Sequence, residues 1–155
     1  MRYSLLTLII VVFVFAILAM AVGAFLNSPA HRMRAAGVNY DASRTGGKFL
    51  YIANGSEVDD QKLAEIVNIV REFPEAHAIG ISSASVTDKG FQVFRYAPKI
   101  SSIWICDLDV SEEILEYLTD MPDLVFLTIE DCPKIDKADI REFQKTNPSI
   151  KVDTF

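Results

Sequence analysis

The apolar positions of this chain fall into two regimes. From Leu5 to Leu26, a run of 22 residues without a charge is interrupted only by Thr7 and Gly23. Coiled as a helix, it would reach about 33 Å, enough for the hydrocarbon core of a bilayer. A helix apolar on every side needs lipid or a large protein to bury it, and a chain of 155 residues suggests one small domain. The run is therefore read as an uncleaved N-terminal membrane anchor. The competing reading is a secretory signal peptide, with Arg2 as the n-region and Ala19-Met20-Ala21 as the cleavage site. The run continues past that site through Phe25 and Leu26 and exceeds a usual h-region, which favours the anchor.

Beyond Leu26 the pattern shortens. Ser28 fits an N-cap, Pro29 the first helical position and Gly37 a stop, which predicts a short juxtamembrane helix. Val38 to Tyr40 adds a first strand that caps the domain together with that helix. From Phe49 onward, short apolar alternations recur between polar clusters and prolines. Pro74, Pro98 and Pro122 stand 24 residues apart, and Pro148 follows after 26. With the segments aligned on these prolines, the apolar positions coincide. Ala76, Ile100, Leu124 and Ile150 share one column; Ile79, Ile103 and Leu127 another; Ile81, Ile105 and Ile129 a third. Ala84, Leu108 and Cys132 follow, then Val86 and Val110, with Ile135 one position later. Phe91, Leu115 and Ile140 open the apolar face of a helical segment in each unit. An earlier unit, marked by Leu50, Ile52, Val58, Leu63 and Val67, fits with a longer helix from about Asp59 to Phe73. Each unit thus reads strand, turn, helix, proline stop. Alternating strands and helices predict parallel strands with crossover helices.

The strand segments carry a recognisable signature. "LVFLTIEDC" (Leu124 to Cys132) matches L-x-x-L-x-L-x-x-N/C at every position, "ISSIWICDL" matches with isoleucines and has Leu108 in the last slot, and "AHAIGISSA" is a degenerate version with Ala at both ends. This resembles the leucine-rich repeat. "VTDKGFQVF" looks like the helix-opening portion of ribonuclease-inhibitor-like repeats, and "DIREFQKTNPSIKV" is similar to a closing half-repeat. With the anchor in front, the chain is similar to small bacterial membrane-anchored proteins of this kind. The resemblance covers roughly Lys48 to Val152. It implies an α/β fold, a short leucine-rich-repeat solenoid of parallel strands with crossover helices after an N-terminal transmembrane helix. It implies a surface and carries over no catalytic residue. The expected division is residues 1–27 as anchor (or signal peptide), 28–47 as juxtamembrane helix and cap, and 48–155 as a repeat domain of about four units plus a terminal half-repeat. A single such unit cannot bury its own apolar face, whereas a stack of three or more can.

Charge narrows the partners. Residues 49–155 hold 10 Lys/Arg and 20 Asp/Glu, a net of −10. A domain so acidic is a poor binder of nucleic acid and of an anionic bilayer surface, although Arg32, Arg34, Arg44 and Lys48 lie near the anchor. Orientation has little to work with, since Arg2 lies on one side of the apolar run and His31, Arg32 and Arg34 on the other. The short N-terminal tail is that of a signal-anchor, so the expectation is a single-pass membrane protein with its domain on the extracytoplasmic side. Ala19 and Gly23 form a small-xxx-small pair, a motif common by chance in lipid-facing helices.

Candidate chemistry is sparse. Cys106 and Cys132 make no disulfide framework, and no Cys/His spacing matches a zinc site. Cys132 takes an inward slot and Cys106 alternates outward, so the two should point apart. No basic residue sits beside Cys106 in sequence to activate it. Of the histidines, His31 and His77, the second occupies a variable strand position and reads as solvated. No serine stands in G-x-S-x-G and no glycine loop cradles phosphate. Asp107, Asp109, Glu112 and Glu113 could hold a hard cation, but Ser111 as helix cap with acids complementing the dipole explains them better. Glu130, Asp131 and Asp136 read as a solvated loop. Asn54-Gly55-Ser56 fits both a glycosylation acceptor and a plain turn. No cofactor, metal or catalytic set is expected, and the chain is not read as an enzyme.

The outward strand positions remain. Tyr51, Gly80, Trp104 and Thr128 share one column; Ala78, Ser102 and Phe126 precede it; Ala53, Ser82, Cys106 and Glu130 follow it. Aromatics on an open sheet face suit a protein-binding patch, so Tyr51, Trp104, Phe126, Thr128 and Glu130 are the expected partner-binding residues. The alternative is that the aromatics cover their small neighbours or pack on the juxtamembrane helix. The last strand near Asp153-Thr154-Phe155 has no capping module, which leaves homo-oligomerisation through that edge open.

Overall fold

A computed structural model describes residues 5–41, 48–52, 57–72, 76–97 and 99–154, with the backbone alone at 6, 8, 39–41 and 48–52. Helix α1 spans Leu5–Leu26. It is long and apolar enough to cross a membrane, and none of its hydrophobic window is buried against the rest of the protein. That is the composition of a membrane anchor, and a signal sequence shares it.

Ser28 then opens α2 (Pro29–Ala35): its hydroxyl accepts the His31 N–H, and Pro29 occupies the first turn. Gly37, with φ of +80°, ends the helix. The Gly37 N–H reaches the Arg34 carbonyl and the Val38 N–H reaches that of Met33, both at 3.0 Å, the paired bonds of a Schellman stop. Met33, Ala36 and Val38 are all buried in the domain core. Arg32 Nη1 donates to both carboxylate oxygens of Glu72, at 2.7 and 2.8 Å, a polar tie to the turn that follows the next helix.

Among the described residues, six strands form one sheet in chain order: β1 (Asn39–Asp41), β2 (Lys48–Ile52), β3 (Ala76–Ser82), β4 (Ser102–Cys106), β5 (Phe126–Glu130) and β6 (Lys151–Thr154). Strands β2 to β6 are parallel, as the alternation of strands and helices predicts. β1 runs antiparallel to β2. The six residues between them leave no room for the crossover that a parallel pair needs. Helices α3 (Asp60–Val70), α4 (Glu113–Thr119) and α5 (Lys137–Thr146) make three of the crossovers, and a 3₁₀ helix (Asp88–Tyr96) makes the fourth.

The register agrees column by column with the 24-residue alignment. Ile79 pairs with Ile103, Gly80 with Trp104 and Ile81 with Ile105; the next pairs are Leu127, Thr128 and Ile129. The inward isoleucines and leucines of these strands, Phe91 and Phe94 of the 3₁₀ helix, and the apolar faces of α3, α4 and α5 bury one another. Each such side chain contributes roughly 1.5–3 kcal/mol. The spacing also recurs in the backbone, because the residues that follow β3, β4 and β5, namely Ser83, Asp107 and Asp131, all have positive φ. That turn carries the sheet bonding one residue further: the Ser83 N–H meets the Cys106 carbonyl (3.0 Å) and the Asp107 N–H that of Glu130 (3.1 Å).

Four expectations need correction. The segment opened by Phe91 is a 3₁₀ helix, not an α-helix. Its buried Phe91, Phe94 and Ala97 recur every three residues, the 3₁₀ period. α3 ends at Val70, short of Phe73 (itself outside the described residues). The Glu72 N–H has already turned to the Ile69 carbonyl, and the residue before Pro74 is sterically disfavoured in α. Ser111 is not the N-cap of α4; Glu112 holds that position. The Ser111 N–H and hydroxyl are taken by the Asp88 carboxylate at 2.7 and 3.0 Å. Ser111 still accepts the Glu113 N–H at 3.3 Å. Finally, Ile150 is buried like Leu124, 26 residues earlier, but Lys151 pairs with Phe126. The strand offset is therefore one residue less than the proline spacing, and the turn before β6 absorbs the difference.

Candidate binding surface

A strand presents alternate residues to opposite faces, so once Ile103, Ile105, Leu127 and Ile129 enter the core, their neighbours must face outward. Ser102, Trp104 and Cys106 of β4 are half-buried, as are Thr128 and Glu130 of β5, while Phe126 is 45% exposed. Register sets Phe126 beside Ser102, Thr128 beside Trp104 and Glu130 beside Cys106. The expected residues Trp104, Phe126, Thr128 and Glu130 therefore meet on one patch of adjacent strands. Tyr51 joins the column by backbone register, opposite Gly80; its side chain lies outside the described residues, as do Ala53 and Asn54-Gly55-Ser56.

The patch is not uniformly open. On β3, Ala78 and Gly80 are buried although they face away from the core, and Ala78 lies outside the main cluster. This face is therefore buried over β3 and opens over β4 and β5. β6 adds residues the sequence did not single out. Lys151, opposite Phe126, sets its ammonium 5.6 Å from that ring, within cation–π reach. The one-residue change of offset before β6 hid this pairing from the alignment. Val125, next to Phe126 in sequence, is a further apolar side chain open to solvent at 40%.

Cys106 faces outward and Cys132 is buried in the core. Burial, then the Glu130, Asp131 and Asp107 carboxylates, raise the Cys106 thiol above its ordinary value against a lowering bond to Ser82. It stays protonated at neutral pH and is a poor nucleophile. Burial likewise raises Cys132, whose thiol donates to the Glu130 carbonyl at 3.2 Å.

The acids disperse to separate tasks. Asp107 accepts the Ser83 hydroxyl at 2.9 Å, and Asp109 pairs with Lys134 at 2.8 Å. Asp136 caps α5, and Glu112 and Glu113 sit exposed at the start of α4. Among the described residues, no three His, Cys, Asp or Glu side chains converge as metal ligands. His77 is exposed, and its carbonyl takes the Ser101 N–H at 2.8 Å. Ser83, Asp107, Asp109 and Pro133 border a shallow cleft of about 250 Å³ at the strand ends, smaller than most ligand sites.

A role the sequence reading missed belongs to Asp60 and Asp88. Asp60 accepts the Thr87 N–H and hydroxyl at 2.7 and 2.6 Å, and Asp88 does the same for Ser111. Each carboxylate opens one crossover helix and holds the residue just before or at the start of the next. The signal was a recurrent apolar residue, Thr or Ser, and acid at 86–88 and 110–112. The outer face as a whole suits recognition by contact, with aromatic area beside hydroxyl, carboxylate and one cation. Comparison with protein-family models and with curated proteins finds no match to this chain.

Proposed function

We propose that this chain is a membrane-tethered interaction module of the leucine-rich-repeat kind, which binds a protein partner through the outward face of β4 and β5. The observation that carries the reading is the aligned exposure of Phe126 beside half-buried Trp104, Thr128 and Glu130 on the sheet face opposite the helices. Aromatic anchors ringed by polar groups are the usual centre of a protein interface. The 24-residue recurrence of register and of left-handed turns supports the solenoid reading, and the uncharged 22-residue α1 supports the tether. Strands β4 and β5 would present the face while α1 holds the domain at a membrane, with the extracytoplasmic side as the favoured location.

The test is a Trp104→Ala/Phe126→Ala double variant of the full chain, cross-linked in native membranes. Proteins cross-linked to the wild-type chain should be lost with the variant, while its denaturation midpoint stays within the range of a surface change. Undiminished recovery by a folded variant refutes the reading. Cross-linking of the chain to itself, with and without residues 1–27, separates the competing self-assembly function.

A further inference from the structure

The last strand of the sheet has an unusual neighbourhood. The Lys151 N–H donates to the Val125 carbonyl at 2.8 Å. In a parallel ladder successive peptide groups turn to opposite sides, so Val152 and Thr154 turn theirs to the edge that no strand among the described residues pairs. That edge is not bare: Gln144 of α5 donates its side-chain amide to the Val152 carbonyl at 3.3 Å. Between α5 and β6 lies a groove of about 350 Å³ lined by Lys137, Ile140, Arg141, Gln144, Val152 and Thr154. The four helical residues, at i, i+3, i+4 and i+7, form one stripe. Ile140 and Val152 make its floor apolar, and Lys137 and Arg141 make its rim basic. Among the described residues neither cation has an ion-pair partner; the Arg141 Nε donates to the Lys137 carbonyl at 2.9 Å. These two cations stand out in a domain of 10 basic and 20 acidic residues.

We propose that this edge accepts an extended acidic segment of another protein as an added strand. The segment would donate to and accept from the Val152 and Thr154 peptide groups in place of Gln144, with its alternate side chains entering the groove. There an apolar side chain would cover Ile140 and Val152, and a carboxylate would meet Lys137 and Arg141. Strand addition of this kind takes affinity from the backbone and selectivity from alternate side chains. Charge favours an acidic segment over a second copy, whose own β6 edge carries the same two cations. This surface is separate from the outer face of β4 and β5 and does not depend on a partner binding there.

The test uses the full chain in neutral-lipid nanodiscs and labelled heptapeptides read by fluorescence anisotropy. One peptide alternates threonine with valine, glutamate and valine; its counterpart carries lysine for glutamate. The glutamate peptide should bind about tenfold more tightly. The K137E/R141E variant, altered only at exposed positions, should reverse that preference. N-methylation of alternate peptide amides should abolish binding, and Gln144→Ala should strengthen it by freeing the Val152 carbonyl. Equal binding of both peptides, binding of neither, or a preference untouched by the charge reversal overturns the proposal. So does self-association of the peptide-free chain that K137E/R141E prevents.

Discussion

The two ends of the sheet are finished in different ways. At the first end, Met33 of α2 and the Ala36 and Val38 that follow it join the core, each no more than 4% exposed. Among the described residues β1 and β6 each have one strand neighbour, but at the last end only Val152 of β6 packs partly against the core. The carboxylates follow the same division. Asp60 and Asp88 reach across to the next unit, whereas Asp136 at the start of α5 bonds its own helix at Ala138 and Asp139. An apolar sheet end left uncovered exposes its core residues to water. Here Met33, Ala36 and Val38 fill the first end, and the last end has the groove between α5 and β6.

The largest effect should come from emptying part of the first end. Met33→Ala deletes a buried side chain and leaves a cavity, at a cost of about 2–5 kcal/mol. Val152→Ala, at the half-open end, should cost about 1 kcal/mol or less. Urea unfolding of the full chain in detergent checks both values, and site-resolved amide exchange shows where opening begins. A larger loss for Val152→Ala than for Met33→Ala would mean that the open end, and not α2, holds the domain together.

Gly90 offers a sharper cut within the tied region. A Cβ there would strike the Asp60 carboxylate and come within 2.7 Å of Val86 Cγ1. Gly90→Ala must therefore push Asp60 off Thr87, losing two hydrogen bonds to a charged group, or about 1–3 kcal/mol. The same substitution made on an Asp60→Ala background should cost less than half as much, because the main obstacle is gone. An unchanged cost in that double-mutant comparison would show that the clash with Val86, and not the displaced Asp60, sets the penalty.

Part of this division is legible in the sequence. The register of β3, β4 and β5 was legible because strand alternation and a constant 24-residue spacing agree at every position. The meeting of Trp104, Phe126, Thr128 and Glu130 follows from the same two facts. The burial of Ala78 and Gly80 accords with the alternative that this face is covered at its small residues, a choice that strand alternation alone cannot make. The 3₁₀ helix was written in the three-residue spacing of Phe91, Phe94 and Ala97, but that spacing also fits one face of an α-helix. The Asp60 and Asp88 ties were hidden for another reason. They join residues 27 and 23 positions apart, and only the turn geometry brings each carboxylate to its hydroxyl. At β6 the shift to an offset of 25 hid Lys151 from the column of Phe126.

The smallest effect should appear at the cap of α5, and it is the one that pH controls. The Asp139 and Ala138 amides, bonded to the Asp136 carboxylate, hold its pKa below the ordinary value. A carboxylate so depressed stabilises the folded state above its unfolded pKa, and that stability is lost as pH falls through the folded pKa. The cap should therefore persist at neutral pH and loosen only below the usual aspartate value of about 3.9. In an NMR titration the amide shifts of Ala138 and Asp139 should move together with a midpoint under that value. In Asp136→Asn, which keeps an acceptor but cannot ionise, this coupled movement should vanish. A midpoint at or above the ordinary value would remove the local reinforcement of α5. The open end would then lean on its packing alone, through Ile140 and Phe143, both still under 10% exposed.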